Sequence, residues 1–338
     1  MGGDFRGCRA CARSLPPQEV GRKFHSPISA ESSDSAFFFR QCGGYNIAGG
    51  GIGEAAECGI SFGMIRTPLF LSAFGAGFTD FLVIRARMAI IFCVIIGKIH
   101  SVETMGALDG PGLRYVLFLK GCPFRCAFCH NPDTWGAAEY TARTAEEVAA
   151  DVLKYREFFA FSGGGFTVSG GEPLMQIPFL EELFGILKKE GISIAVDTCG
   201  HIENPESAAK IVELADLFLL DIKHLDSAVH QKLTGKPNDR VLAFLEYLNS
   251  RSKEIHIRIV LLNGYSADEA YLTRLAEFLK KYRSITRVDL LPYHTLGVPK
   301  WESLDIPYRL DSSAVLSKEQ CARALEIFKK AGFHATLQ

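Results

Sequence analysis

Three cysteines in one short loop are the residues of this chain best suited to do chemistry. Cys122, Cys126 and Cys129 follow the spacing C-x3-C-x2-C within residues 121–131, and no fourth cysteine stands beside them. Three thiolates placed in this way can hold three irons of a [4Fe–4S] cluster and leave the fourth iron open. An open iron can bind a small molecule, so the loop predicts chemistry at the cluster rather than electron storage alone.

The same loop also fits two other kinds of site. With His130, the three cysteines could form a Cys3His zinc site, because zinc takes four nitrogen or sulfur ligands at similar spacings. Disulfides are the weaker alternative, since 10 cysteines in 338 residues is modest usage for a chain unlike a small secreted scaffold. The loop alone favours the cluster and leaves zinc open.

The composition gives no indication of a nucleic acid or a membrane as partner. The formal net charge is −1, and 48% of the residues are hydrophobic. A nearly neutral chain has no general attraction for polyanions. The apolar region 67–96 is broken by Asp80, Arg85 and Arg87, so it contains no uninterrupted span of the ~18–20 residues that a membrane helix needs. We expect a cytoplasmic protein, and a monomer.

The chain changes character near residue 95. Residues 1–62 are rich in Gly, Ser and Ala and show no sustained periodicity. They lack the apolar core of a signal peptide, and Arg6 stands where the myristoylation pattern requires Ser or Thr. We predict that residues 1–87 form a disordered extension outside the working protein, and that residues 88–338 form the functional domain. Met88 offers an alternative start.

From residue 96 onward, strand and helix patterns alternate. Short apolar runs predict six strands, at 114–120, 166–169, 193–197, 217–221, 255–261 and 288–291. Amphipathic stretches predict helices at 144–159, 178–190, 205–214, 227–233, 239–249, 267–282 and 318–331, the first opened by a capping box of Thr144 and Glu147. Strand–helix units in series require a parallel sheet with helical crossovers. Such a sheet is either doubly wound and open or an incomplete barrel.

Polar residues collect where these strands end. The cysteines follow the first strand, and the Ser-Gly-Gly-Glu segment 169–172 follows the second. Asp197 and Thr198 end the third strand, and Asp221 to Lys223 end the fourth. His256 and Arg258 share a face of the fifth strand, and His294 follows the sixth. Each alone has a structural interpretation, because an Asp at a strand end often only caps the next helix. The carboxyl ends of parallel strands meet at one edge, so together these residues predict one polar cavity.

These motifs resemble those of radical S-adenosylmethionine (SAM) enzymes and, within them, the pyruvate formate-lyase activating enzymes. The resemblance covers about residues 96–338. It rests on the segments 97–103, 109–114, 121–135, 162–165, 169–172, 197–198, 219–223 and 290–297 and on Lys300 and Trp301. It implies an incomplete (β/α)6 barrel of the radical SAM type. The first ninety residues match nothing in this family.

The resemblance implies a role for each site residue. Cys122, Cys126 and Cys129 would hold the [4Fe–4S] cluster, and SAM would chelate its open iron. The implied SAM contacts are Phe128, Cys129, His130, Gly171, Asp221, Ile222, Lys223, Arg258 and His294, with Arg258 pairing with the SAM carboxylate. Asp197, Thr198 and Leu219 would hold a monovalent cation, and Asp109 would seat the glycine loop of a partner protein. No residue is expected to act as a general acid or base.

The resemblance also implies the reaction. Flavodoxin or ferredoxin would reduce the cluster, SAM would be cleaved to methionine and a 5′-deoxyadenosyl radical, and this radical would remove a hydrogen from a glycine of pyruvate formate-lyase. No cysteine lies between Cys129 and Cys199, which favours this compact type over activases with a ferredoxin-like insert. Cys199 and Cys321 are expected to be small core residues. The alternatives are an activase of another glycyl radical enzyme, a radical SAM enzyme acting on a small molecule, and a non-enzymatic zinc or iron–sulfur module.

Overall fold

The computed structural model describes residues 60–61, 94–136 and 139–338. The strands in this part are β1 (Ile60–Ser61), β2 (Val94–Gly106), β3 (Arg114–Leu119), β4 (Thr141–Thr144), β5 (Gly165–Gly170), β6 (Ile194–Thr198), β7 (Leu217–Asp221), β8 (Glu254–Leu261), β9 (Ile285–Pro292) and β10 (Ala335–Leu337). The α-helices are α1 (Ala145–Leu153), α2 (Arg156–Ser162), α3 (Ile177–Lys189), α4 (Ala209–Leu214), α5 (Ser227–Thr234), α6 (Asp239–Ser250), α7 (Glu269–Leu279), α8 (Val298–Ser303) and α9 (Lys318–Lys330).

The sheet is parallel and its strands lie side by side in chain order. Strands β3, β5, β6, β7, β8 and β9 pair in that sequence, and β10 adds a further parallel strand beside β9. Strand β2 runs antiparallel on the other side of β3 and also pairs with β1 and β4. A doubly wound sheet reverses its strand order at a switch point. This order has no reversal, which selects the barrel over the doubly wound alternative.

Contacts between the loops at the two ends of this series show that the sheet curves strongly. Strands β3 and β9 are five intervals apart, which would separate them by ~24 Å in a flat sheet. Yet the ring of His130, after β3, stacks on the ring of His294, after β9, with their centres 4.2 Å apart. The sheet therefore bends into an incomplete barrel, as predicted.

Side chains on the parallel strands alternate between two environments. Phe218 and Leu220 on β7 belong to the large apolar core under the surrounding helices, whereas Leu217 and Leu219 form a small separate cluster with Ala195 of β6. This period of two is the pleat of a strand. The second face is the barrel interior, and it carries Asp197, Asp221 and Arg258 at its carboxyl end.

All six predicted strands are present, as β3 and β5 to β9, but the predicted elements differ from the structure elsewhere. The helix predicted over 144–159 is two helices, α1 and α2, although its capping box at Thr144 and Glu147 is present. Strand β2 was missed because half of its residues are exposed at the side of the sheet and it carries glycines at 97 and 106. Strands β4 and β10 were missed because each is only a few residues long.

Most of the predicted extension, residues 1–87, lies outside the described residues. Its two-residue strand β1 pairs with Val94 and Ile95 of β2. In the described part of the chain, no helix combines the length and the apolar character needed to cross a bilayer.

Candidate functional site

One cavity of 440 Å³ brings together most of the residues singled out from the sequence. Its walls include Asp109, Cys122, Cys126, Phe128, Cys129, His130, Gly171, Asp197, Thr198, Asp221, Lys223, Arg258 and His294. Cavities of this size hold small-molecule ligands, for which ~300–1,000 Å³ is typical. Two predicted residues, Leu219 and Ile222, are buried and do not line it. The backbone N–H of Ile222 instead donates to the carbonyl of Arg258 at 3.0 Å.

The cysteine loop, residues 121–131, is held by backbone contacts to the elements around it. The N–H groups of Arg125 and Ala127 donate to the last carbonyls of α5, those of Thr234 and Leu233, at 2.7 and 2.8 Å. The indole Nε1 of Trp301 in α8 donates to the carbonyl of Cys129 at 2.8 Å. These bonds involve no sulfur atom, so the protein positions the three thiols without using them.

The donor set fits a cluster better than a single zinc ion. Burial raises the pKa of all three thiols, that of Cys122 to about 12, so metal binding must displace their protons. Within the described ranges, no three His, Cys, Asp or Glu side chains converge as the ligands of one metal ion. Zinc requires four ligands around one ion, whereas a cubane binds each thiolate to a different iron. Three thiols in one loop without a fourth ligand beside them therefore suit the cubane.

Gly171 permits the Gly-Gly-Glu segment to pack against the cysteine loop. A Cβ at this position would lie 2.1 Å from the carbonyl oxygen of Gly121, well inside van der Waals contact. The next residue, Glu172, donates its own N–H to that same carbonyl at 2.7 Å. Only glycine allows the two backbones to come this close.

Hydrogen bonds of the Glu172 side chain hold the Gly-Gly-Glu segment against the end of β6. Its fully buried carboxylate accepts hydrogen bonds from Thr198 Oγ1 at 2.7 Å, from the N–H of Cys199 at 2.8 Å and from the N–H of Leu174 at 2.9 Å. Burial raises the pKa of Glu172, and these donors oppose that shift. The predicted cation ligand Thr198 therefore has its hydroxyl proton engaged by Glu172.

Two cationic and three acidic side chains form a charged cluster in the lining of the cavity. Arg258 Nη1 lies 3.1 Å from Asp197 Oδ1 and 3.8 Å from Asp109 Oδ1, and Lys223 Nζ lies 2.9 Å from Asp221 Oδ2. Burial by itself would lower the pKa of both cationic groups. The neighbouring carboxylates outweigh it and raise both pKa values, so both groups are charged. Burial, reinforced by Asp197, raises the pKa of Asp109 to about 6.

Within the described residues, two atoms of this charged cluster have no hydrogen-bond partner. They are Arg258 Nε and Asp197 Oδ1, both fully buried. A buried donor without a partner costs free energy, about 1–3 kcal/mol or more for a charged group. An unpartnered guanidinium N–H suits a ligand carboxylate, which Arg binds well. The cavity residues thus fit both a [4Fe–4S] cluster and the amino-acid portion of SAM.

Aromatic rings line the opposite wall. His130 stacks on His294 and its Nε2 donates to the His294 carbonyl at 3.2 Å, while Lys223 Nζ lies 5.4 Å from the centre of the Phe128 ring. Burial lowers the pKa of His130, so the ring is neutral near pH 7. Flat rings of this kind offer a stacking surface for a heterocycle.

Some positions differ from what the sequence suggests. Cys199 is buried in the apolar core, as expected, but it also lines the cavity, a position signalled only by its place directly after Asp197 and Thr198. Gln338 also lines the cavity and gave no signal in the sequence. His256 does not line it, and its Nε2 instead lies 3.4 Å from Glu254 Oε1 near the start of β8.

Comparisons with known proteins agree with this geometry. The model of the Radical SAM superfamily matches residues 116–276. The chain is 43% identical to the pyruvate formate-lyase-activating enzyme of Listeria monocytogenes over 244 residues, which are 71% of this chain and 98% of the relative. It is 47% identical to the Staphylococcus epidermidis enzyme of the same name over 222 residues, covering 64% and 88% of the two chains.

The fold has counterparts among solved structures. A radical SAM methyltransferase from Sphaerobacter thermophilus matches with a TM-score of 0.51 and 17% identity, over 76% of this chain and 81% of that one. At this identity the likeness shows the fold alone.

Proposed function

This chain belongs to the pyruvate formate-lyase-activating enzymes of the radical SAM superfamily, and from this premise we propose that it installs a glycyl radical on pyruvate formate-lyase. The observation that carries the proposal is the shared cavity. Three thiols able to hold a cluster, the backbone cradle at Gly171 and a buried guanidinium whose Nε makes no hydrogen bond within the described residues face one space of 440 Å³. That combination suits the cluster and SAM together, and a structural zinc site would need neither the cradle nor the guanidinium.

When bound, the [4Fe–4S] cluster and SAM supply a 5′-deoxyadenosyl radical that can remove a hydrogen from a glycine. We assign the cluster to Cys122, Cys126 and Cys129. Arg258 would bind the SAM carboxylate through Nε, the donor that has no partner of its own. The backbone at Gly171 would lie against the SAM amino group.

The remaining cavity residues would orient SAM and exclude water. The ring pair of His130 and His294 gives a platform for the adenine, and Phe128 extends the apolar wall. Asp221, Lys223 and the backbone of Ile222 would hold the ribose and methionine end. Since the chemistry is radical transfer, no side chain needs to act as a general acid or base.

Two assignments concern the charge balance and the partner protein. Asp197 Oδ1 is ion-paired with Arg258 but makes no hydrogen bond within the described residues, and we assign it, together with Thr198 and Leu219, to a monovalent cation. Asp109 lies on the cavity wall beside the exposed Leu108, where it could accept a hydrogen bond from the backbone of an incoming glycine loop. We propose that the electron comes from flavodoxin or ferredoxin.

The decisive experiment mixes the anaerobically reconstituted protein with SAM, a chemical reductant and pyruvate formate-lyase. We expect the doublet of a glycyl radical in electron paramagnetic resonance, and equal amounts of methionine and 5′-deoxyadenosine. Pyruvate formate-lyase with its radical glycine replaced by alanine is the control and should give no doublet. SAM cleavage without a doublet would contradict activation of this partner, and a colourless protein with tightly bound zinc would contradict the cluster.

A further inference from the structure

Four cationic side chains surround the outer side of the cysteine loop. Arg125 belongs to the loop itself, Lys232 and Lys236 flank the end of α5, and Arg309 follows α8; all four are exposed. They lie close together, because the Arg125 N–H donates to the carbonyl of Thr234 at 2.7 Å and Arg309 Nη2 donates to the carbonyl of Arg125. We call these four residues the loop-side patch.

The charges of the loop-side patch are not neutralised within the described residues. None of the four side chains is paired there with a carboxylate, whereas the nearby Arg240 and Lys300 pair with Glu203 and Asp133. Arg125 and Lys232 instead lie over the rings of Trp135 and Tyr265, 5.1 and 5.3 Å from the ring centres. Such contacts orient a cation and leave its charge available to a partner. The chain as a whole has a net charge of −1, so this excess of unpaired positive charge belongs to one face of the molecule.

The loop-side patch lies against the cluster ligands but outside the cavity. Arg125 Nη1 donates to the carbonyls of Cys122 and Phe124, both at 2.7 Å, so the guanidinium covers the outer side of the loop. None of the four residues lines the cavity. A protein bound here would therefore approach the thiols through the loop, without entering the space assigned to SAM and the glycine.

We propose that the loop-side patch docks an acidic one-electron carrier protein, which delivers the electron that the cluster needs. This inference rests on the proposed function, in which each SAM cleavage consumes one electron from outside. The reduced carrier loses one electron and the cluster gains it, so the step balances without a further reactant. Unpaired cations attract an acidic partner and raise its association rate, an effect that salt screens. A nucleic acid fits less well, because domains that bind nucleic acids are basic as a whole, whereas this chain has a net charge of −1.

The test compares two electron donors on one variant. Lys232→Glu/Lys236→Glu reverses two charges that play no part in the cavity. With reduced flavodoxin as donor at low salt, we expect 5′-deoxyadenosine formation to fall by at least about 10-fold, the lower end of electrostatic rate effects. With dithionite as donor, the rate and the cluster absorbance should stay at the wild-type level. The wild-type flavodoxin rate should also fall with added salt, and the variant rate should depend on salt much less.

Lys281→Glu/Arg283→Glu provides the matched control. It makes the same change in net charge just before β9, at the amino ends of the strands and away from the cluster, and should leave the flavodoxin rate unchanged. An undiminished flavodoxin rate in Lys232→Glu/Lys236→Glu would overturn the inference, and so would an equal loss with dithionite. Loss of the glycyl radical on pyruvate formate-lyase with dithionite, while SAM cleavage is kept, would also overturn it by making the patch a substrate-docking face. The proposed function would fail differently, because no donor would then yield a glycyl radical in the wild type.

Discussion

Arg258 and Asp197 face each other across strand β7, with Nη1 of the guanidinium 3.1 Å from Oδ1 of the carboxylate. Arg258 on β8 is paired in register with Asp221 of β7, and Asp197 on β6 with Leu219 of β7, so the contact crosses the strand that lies between them. Apart from this ion pair, neither Arg258 Nε nor Asp197 Oδ1 makes a hydrogen bond to the described residues. A buried ion pair is strongly favourable only when its remaining donors and acceptors are satisfied. The pair is therefore incomplete in a way that a bound carboxylate and a cation would complete.

Replacing Arg258 by lysine tests this interpretation. Arg258→Lys keeps the positive charge among the three carboxylates, so the fold should survive, but it loses the planar donor pair. Hydrogen bonds to charged groups contribute about 1.5–3 kcal/mol, so the dissociation constant for SAM should rise by roughly 10- to 100-fold. Equilibrium dialysis with the reconstituted protein measures it. Arg287→Lys, at an arginine paired with Asp289 outside the cavity, is the matched control. Unchanged SAM affinity in Arg258→Lys would refute the assignment.

The contact of Gly171 with Gly121 predicts a specific defect in the cysteine loop. In Gly171→Ala the added methyl would overlap the Gly121 carbonyl, and overpacking of this kind costs about 1–3 kcal/mol. We expect the loop to shift and the iron bound per protein after reconstitution to fall. Gly185→Ala in α3 has open space around the new methyl and should stabilise the helix by about 1 kcal/mol. Full iron content in Gly171→Ala would mean that the loop tolerates the displacement.

Replacing single cysteines by alanine distinguishes a cluster ligand from a buried structural cysteine. Cys126→Ala removes one of the three thiolates, so both the cluster absorbance and SAM cleavage should disappear. Cys321→Ala is the comparison, since Cys321 is buried in α9 and does not line the cavity. It should keep the cluster and lose only a small part of the free energy of unfolding. Iron analysis and visible absorbance measure both variants, and a cluster retained in Cys126→Ala would show the ligand assignment to be wrong.

The raised pKa of Asp109 predicts how the stability of the cluster-free protein depends on pH. Its pKa is about 6 in the folded protein, because of burial and then of Asp197, against about 4 in an unfolded chain. Between these two pH values the folded state holds a proton that the unfolded state has lost, so the free energy of unfolding falls as pH rises through this window. Above about pH 6, ionised Asp109 lowers the free energy of unfolding by the full amount, which is up to about 3 kcal/mol.

The substitution Asp109→Asn should remove this cost. We expect the free energy of unfolding to increase at pH 7 and its slope between about pH 4 and pH 6 to flatten. Urea unfolding of the cluster-free protein at several pH values measures both. Asp239→Asn, at an exposed carboxylate in the first turn of α6, should change neither. A slope that survives in Asp109→Asn would assign the pH dependence to another group.

Local patterns in the sequence were enough to predict the alternation of strands and helices and to single out the loop of three cysteines. The six apolar runs are the six parallel strands, because a strand covered on both faces must be apolar along its whole length. The capping box at Thr144 and Glu147 is local chemistry and is present. Strand β2 was not predictable in this way, since its burial depends on β3 and β4 beside it rather than on its own pattern.

The order of residues along the chain supplies the chemical groups: three thiols in one loop, a Gly-Gly-Glu turn and charged residues at successive strand ends. Which of these groups meet depends on the folded structure. Curvature of the sheet brings His130 to His294 and Asp109 to Arg258, and it leaves His256 outside the cavity. The physical reason is that strand order and bend are set by the packing of all the strands and helices together. No single segment encodes the distance between the first strand and the sixth.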